Sequence, residues 1–208
     1  MTDDYYPYIK GFFKKWARIY DVIVFLLAGV RGKVVETTAA GKGAEILDVA
    51  TGTGKQAFAF AKKGFSVTGI DLSEDMLNIA RKNNKFSNVK LEMGDAASMA
   101  FPENRFDVAS VSFALHDMPP SVGEKVLEEM VRVTRPGGII TVVDYDLPEN
   151  RLIKNIAYMM IKSYESKYYP LFIKNDLPGL IKRAGIKIEK ERKVMFGTGR
   201  IIRGVKAA

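Results

Sequence analysis

A chain of 208 residues with 47% hydrophobic content is long enough to bury one core and too short for two independent α/β domains. The absence of cysteine rules out disulfides, thiolate-held metals and a cysteine nucleophile. The net charge of +8 lies at the ends: residues 1–43 hold 7 basic and 4 acidic side chains, residues 44–146 hold 11 and 15, and residues 147–208 hold 14 and 5. Basic regions of this kind attract anionic lipid, nucleic acid or an acidic substrate, or are simply solvated.

The first predicted element is helical. Between Ile9 and Val35, the residues Phe12, Trp16, Ile19, Ile23 and Leu26 recur at spacings of three and four, an apolar stripe opposite Lys14, Lys15 and Arg18. The apolar run Val22–Val30 is about half the length that spans a bilayer, so this helix is expected to dock on the open end of a sheet. No apolar signal segment opens the chain, and a cytoplasmic location is the expectation. A βα rhythm then runs through residues 44–146: strand Glu45–Val49, helix Gly54–Lys63, strand Ser66–Ile70, helix Glu74–Asn83, strands Val89–Met93 and Phe106–Phe113, helix Glu124–Thr134 and strand Ile139–Tyr145. Such alternation predicts a parallel sheet covered by helices, joined by right-handed crossovers. Ser73 reads as a helix cap, with Glu74 and Asp75 in the first turn, and Arg135–Gly138 as the turn between a helix and the next strand. Beyond Asp146 the pattern is helical to the neighbourhood of Pro170, and a short helix begins at Asp176. Ile186–Val194 and Arg200–Val205 read as two strands paired antiparallel across a short turn.

Candidate chemistry gathers at the carboxyl ends of these strands. Gly52-Thr53-Gly54-Lys55-Gln56-Ala57 fits the dinucleotide fingerprint G-x-G-x-x-G/A, and Asp71 follows at the spacing of a ribose-binding acid. A nicotinamide-dependent dehydrogenase is the first idea to test. Asp48, at the end of the first strand and facing the turn, argues against it. A carboxylate there repels a pyrophosphate and suits a ligand with cationic groups, such as the ammonium and sulfonium of S-adenosylmethionine (SAM). Asp95, in the Gly94-Asp95-Ala96 turn after the third strand, stands beside the same crevice, able to accept from an exocyclic amino group such as that of adenine. Asp71 then grips the ribose hydroxyls and Asp95 the base, while Gly52 and Gly54 let the backbone approach the amino-acid end.

With these residues placed, the chain resembles the class I SAM-dependent methyltransferases, and within them the ubiquinone/menaquinone-biosynthesis-like or methyltransferase type 11 group. The resemblance rests on ILDVATGTG (Ile46–Gly54), GIDLSEDML (Gly69–Leu77), GDA (Gly94–Ala96), FDVASVSFALHDM (Phe106–Met118) and VTRPGGIITVVDY (Val133–Tyr145). These motifs are specific for the cofactor and not for the methyl acceptor. The resemblance implies a single Rossmann-like α/β domain: a seven-stranded, mostly parallel sheet with an antiparallel final strand and helices on both faces. Residues 44–208 would form the methyltransferase domain and residues 1–43 a helical extension or lid. It also implies that Gly52, Thr53 and Gly54 line the methionine end of SAM, Asp71 and Leu72 the ribose, and Asp95 and Ala96 the adenine. Ser112 and Phe113 would face the methyl-transfer side, and no metal ligands are expected. Two residues depart from the pattern. Ala50 stands where the commoner loop has its first glycine, a change expected to be mild because alanine adds one methyl. His116 occupies a place where quinone methyltransferases often carry another residue, so their substrate contacts do not carry over there.

Methyl transfer from a sulfonium is an in-line displacement with an activated leaving group, so the protein mainly aligns donor and acceptor and excludes water. His116, the one imidazole in the chain, is the leading candidate for a base or for orienting the acceptor, unless it merely caps the loop or packs over the cofactor. Asp117 is a weaker candidate, and Tyr20 either folds over the cofactor or packs in the core. HDMPPS lacks the D/N-P-P-Y/F arrangement of enzymes that methylate nucleobase amino groups, which disfavours that chemistry. The aromatic and apolar flanks (Tyr5, Tyr6, Phe12, Phe13 and Trp16; Tyr158 to Met160, Tyr164, Tyr168, Tyr169 and Phe172) either roof a lipid-like acceptor or close the core. The expected activity is methyl transfer from SAM to a small apolar or lipid-like molecule, with S-adenosylhomocysteine (SAH) as product. Peripheral contact with a membrane or another anionic surface stays open, and nucleic acid is disfavoured as a partner. An RNA-directed methyltransferase using the basic C-terminal third and a SAM-binding protein without turnover are the alternatives; the dehydrogenase ranks last.

Overall fold

The computed structural model describes residues 4–12 and 28–207. The elements are α1 (5–12), α2 (Ala28–Thr38), β1 (Glu45–Val49), α3 (Lys55–Ala61), β2 (Ser66–Asp71), α4 (Glu74–Asn83), β3 (Val89–Met93), β4 (Phe106–Ser112), α5 (Pro120–Val133), β5 (Thr134–Tyr145), α6 (Arg151–Lys162), α7 (Tyr169–Lys174), α8 (Leu177–Arg183), β6 (Ile186–Val194) and β7 (Gly199–Lys206). The strands make one sheet in the order β3-β2-β1-β4-β5-β7-β6. β1 to β5 pair in parallel, and β7 runs antiparallel between β5 and β6. This is the seven-stranded, mostly parallel sheet expected from the sequence.

Period-two burial explains why helices cover both faces. In β1, Leu47 and Val49 pack into one apolar cluster while Ile46 packs into the other. β4 repeats the pattern with Ala109 and Val111 against Val108, and β7 with Ile202 against Ile201. The Ile46 side is filled by Val30 and Val34 of α2 and by Ala57 and Phe60 of α3. The Leu47 side is filled by Val122, Val126, Leu127 and Met130 of α5, with Phe172 of α7 and Ile181 of α8.

α3, β2, β4 and β7 differ from expectation by one or two residues at an end, and the following differences are larger. α5 begins at Pro120 rather than Glu124, because proline at the first helical position has a preset φ and lacks only an N–H that would be unpaired there anyway. β5 begins at Thr134, which pairs with Phe106; pairing resumes at Ile139 with Val108, so Arg135–Gly138 bulges out of the ladder instead of separating helix from strand. The helix anticipated over 9–35 is represented by α1 and α2. Phe13, Trp16, Ile19, Tyr20, Ile23 and Leu26 lie outside the described residues.

The order of strands reverses between β1 and β4, where the chain, having built outward to β3, returns to the other side of β1. Ligands of open α/β sheets bind outside the carboxyl ends of the strands at such a switch point.

Candidate active site

At that switch point the carboxyl ends of β1, β2 and β4 open into a cavity roofed by α1. The turn after β1 forms its floor. Gly52 and Gly54 have φ of +55° and +79°, the left-handed region where glycine escapes the Cβ penalty. A Cβ on Gly54 would also lie 2.7 Å from the Phe58 ring, so this glycine lets α3 start tightly beneath the turn. Ala50, also on the cavity, has φ +52°. The anticipated mild exchange for glycine therefore carries backbone strain of order 1 kcal/mol.

Asp71 ties this turn to the next one. Its Oδ2 accepts from the Gly52 N–H at 2.7 Å and its Oδ1 from the Ser73 N–H at 2.8 Å. Burial raises its pKa, and the backbone N–H groups oppose that rise. Each carboxylate oxygen accepts more than one hydrogen bond, so both retain capacity toward a ligand hydroxyl. Asp95 accepts from the Ala97 N–H at 2.9 Å and from the Tyr6 hydroxyl of α1.

Of the ten residues expected to hold a cofactor, Gly52, Thr53, Asp71 and Leu72 line the cavity, as do Asp95, Ala96, Ser112 and Phe113. Asp48 and Gly54 do not. Asp48 is 1% exposed, and its Oδ2 accepts from Thr51 Oγ1 at 2.6 Å under the turn, while its Oδ1 is buried without a hydrogen-bond partner. Burial pushes its pKa up to about 7, with the Thr51 bond opposing. Its place is under the turn, as a brace, rather than on the ligand side.

Phe113, just past β4, has φ +51°, and its ring meets Tyr145 edge-on at 5.4 Å. His116 follows in a short helical turn, is 2% exposed and does not line the cavity, whereas its neighbour Asp117 does. Both ring nitrogens of His116 are engaged: Nδ1 with Asp144 at 2.6 Å and Nε2 with Glu165 at 3.1 Å. Asp117 lies 3.4 Å from Nε2. Burial alone would lower the imidazole pKa, but the surrounding charges of Asp144, Asp117 and Glu165 win and raise it well above its ordinary value. His116 is thus a buried cation without a free lone pair. The Tyr145 hydroxyl donates to Glu165 at 2.7 Å and completes the network. His116, Asp117 and Glu165 also offer ligand atoms within 4.8 Å of one another, but bonds between the ring and the carboxylates already account for this packing.

Several cavity residues were not singled out from the sequence as site residues. Lys10 of α1 and Arg31 of α2 bring positive charge, and Met118, Val122 and Val126 supply an apolar wall. Gln56 Nε2, Ser112 Oγ and Asp117 Oδ1 are buried without a protein partner, and all three residues line the cavity. Orphaned polar atoms around one cavity fit a polar ligand that supplies their bonds.

Residues 46–138 match the model of a family described as "Methyltransferase domain". The demethylmenaquinone methyltransferase of Staphylococcus aureus (strain MRSA252) is 34% identical over 167 residues, covering 78% of this chain and 68% of that protein. Among solved structures, a methyltransferase from Bacillus halodurans C-125 superposes with a TM-score of 0.69 at 23% identity, covering 86% of this chain and 99% of the other. Phosphoethanolamine N-methyltransferase 2 of Haemonchus contortus, in complex with S-adenosyl-L-methionine, gives 0.67 at 18% identity, covering 86% and 53%. At these identities the two structures speak for the fold alone.

Proposed function

This chain belongs to the class I SAM-dependent methyltransferases of the ubiquinone/menaquinone-biosynthesis-like group, and from that footing we propose that it methylates a small apolar or lipid-like acceptor of the quinol type. The observation that carries this reading is the composition of the cavity: carboxylates on the β2 and β3 side, and an apolar wall of Phe113, Met118, Val122 and Val126 on the β4 and α5 side. The first half suits a nucleoside and the second an apolar ring. The similarity to demethylmenaquinone methyltransferase points the same way.

In this reading Asp71 and Leu72 hold the ribose, Asp95 and Ala96 the adenine, and Gly52, Thr53 and Gly54 shape the methionine end, with Asp48 bracing the turn. Arg31 is placed to meet a carboxylate there. SAM, when bound, supplies a methyl group on a sulfonium. Ser112 and Phe113 fix the direction from which an acceptor reaches it, while α1 excludes water.

Asp117, rather than His116, is the group that can reach an acceptor proton, because it lines the cavity. Burial raises its pKa to about 6, with the His116 cation opposing, so it is ionised at neutral pH. His116 acts through it as a positioning residue, holding Asp117 between the post-β4 turn and Glu165. Asp117→Asn should lower kcat about 100-fold while SAH affinity stays within a few-fold. His116→Asn should instead displace the pH profile of kcat, because it removes the cation that holds down the Asp117 pKa.

A labelled-methyl assay against hydroquinones with and without isoprenoid tails, phospholipids and RNA tests the acceptor. Label in a hydroquinone is the expected result. Label in RNA alone, or in phospholipid alone, would overturn it.

A further inference from the structure

Helix α6 turns an apolar face to solvent. Leu152, Ile153, Ile156, Met159 and Met160 are 70%, 53%, 54%, 63% and 64% exposed. At about 100° per residue these five fall within an arc of about 120°. Ala157 and Ile161 fill the adjoining arc and are buried against the body of the protein. The remaining arc carries Arg151, Lys154 and Lys162, and no acid occurs in the helix. Soluble proteins rarely leave so continuous an apolar patch uncovered.

We propose that α6 lies on an anionic lipid bilayer, with Leu152, Ile156, Met159 and Met160 among the acyl chains and Arg151, Lys154 and Lys162 at the phosphates. Charge complementarity selects this occupant. The helix offers only positive charge beside its apolar arc, and residues 147–208 hold 14 basic against 5 acidic side chains, the composition of an interfacial helix. At 12 residues it is too short to span a bilayer, and among the described residues no helix is long and apolar enough to cross one. Its position gives the contact a purpose. α6 follows the carboxyl end of β5, on the same edge of the sheet as the cavity, and Glu165 just beyond it bonds His116. A protein seated this way would have its acceptor side close to the phase in which an apolar acceptor dissolves. This use of the contact rests on the acceptor reading above; the contact itself does not.

The test uses the full chain without acceptor. It should co-sediment with phosphatidylglycerol-containing vesicles and far less with pure phosphatidylcholine, and added salt should weaken the binding. The triple variant Ile156→Glu/Met159→Glu/Met160→Glu should lose roughly tenfold or more in partitioning while binding SAH as before. Met160→Trp gives a second reading independent of that variant's folding, its added emission shifting to the blue on anionic vesicles alone. Equal partitioning of wild type and triple variant, no partitioning, or no blue shift would overturn the proposal. So would a dimer in gel filtration that the triple substitution dissolves, which would assign the face to a second copy. Vesicle binding is read without any methyl transfer, so its failure is distinct from failure of the acceptor assay.

Discussion

Asp71 holds two turns with one carboxylate, so its loss has two costs. Asp71→Ala leaves the Gly52 and Ser73 N–H groups without their acceptor and removes the expected ribose contact. At about 1.5 to 3 kcal/mol per charge-assisted hydrogen bond, SAH affinity should fall about 100-fold or more by calorimetry. An unchanged dissociation constant would remove Asp71 from the site. Ala50→Gly should do the opposite to stability. Releasing a left-handed alanine gains about 1 kcal/mol, offset in part by the freer unfolded chain, for a melting temperature roughly 2 °C higher by calorimetry. The sequence announced the glycines and the acid at position 71, because fingerprint spacing encodes them. It did not announce the sign of φ at Ala50 or Phe113, which no non-glycine side chain advertises. Nor could it join His116 to Asp144 and Glu165, which lie 28 and 49 residues away and meet only through the fold.

Among the elements, the strands were the most legible, and Glu45–Val49, Val89–Met93 and Ile186–Val194 match residue for residue: the first is buried on both faces, and the other two are edge strands whose apolar and charged residues largely alternate. Helix α4 was equally plain, with Ser73 accepting from the Met76 N–H. α1 was not, because its attachments are tertiary. Tyr5 and Tyr8 each meet the Tyr168 ring edge-on at 5.8 Å, and the Tyr8 hydroxyl accepts from the Lys167 N–H. One side of α1 is thus pinned to the α6–α7 connection while Tyr6 and Ile9 face the cavity. Deleting residues 1–12 should speed SAH release about tenfold in stopped-flow, as expected of a lid; an unaltered release rate would make α1 mere cladding.

At the scale of the molecule, Asp48 makes stability depend on pH. Its folded pKa of about 7 stands above the ordinary carboxylate value, so the native state holds a proton that the unfolded chain gives up. That contribution is whole below about pH 4 and is lost as pH rises toward 7, at most a few kcal/mol. Asp48→Asn should therefore flatten the fall of the urea midpoint between pH 5 and 7.5 relative to wild type. The placement of β7 has a different consequence. β5 pairs with β4 on one side and β7 on the other, and β7 is separated from it by everything between 146 and 198. During translation the free border of β5, bearing Ile140, Val142 and Val143, has no permanent neighbour until the ribosome has delivered that whole stretch. A nascent chain paused before Gly199 would present an adhesive ribbon, which makes this interval the one in which a holding chaperone protects it from coaggregation.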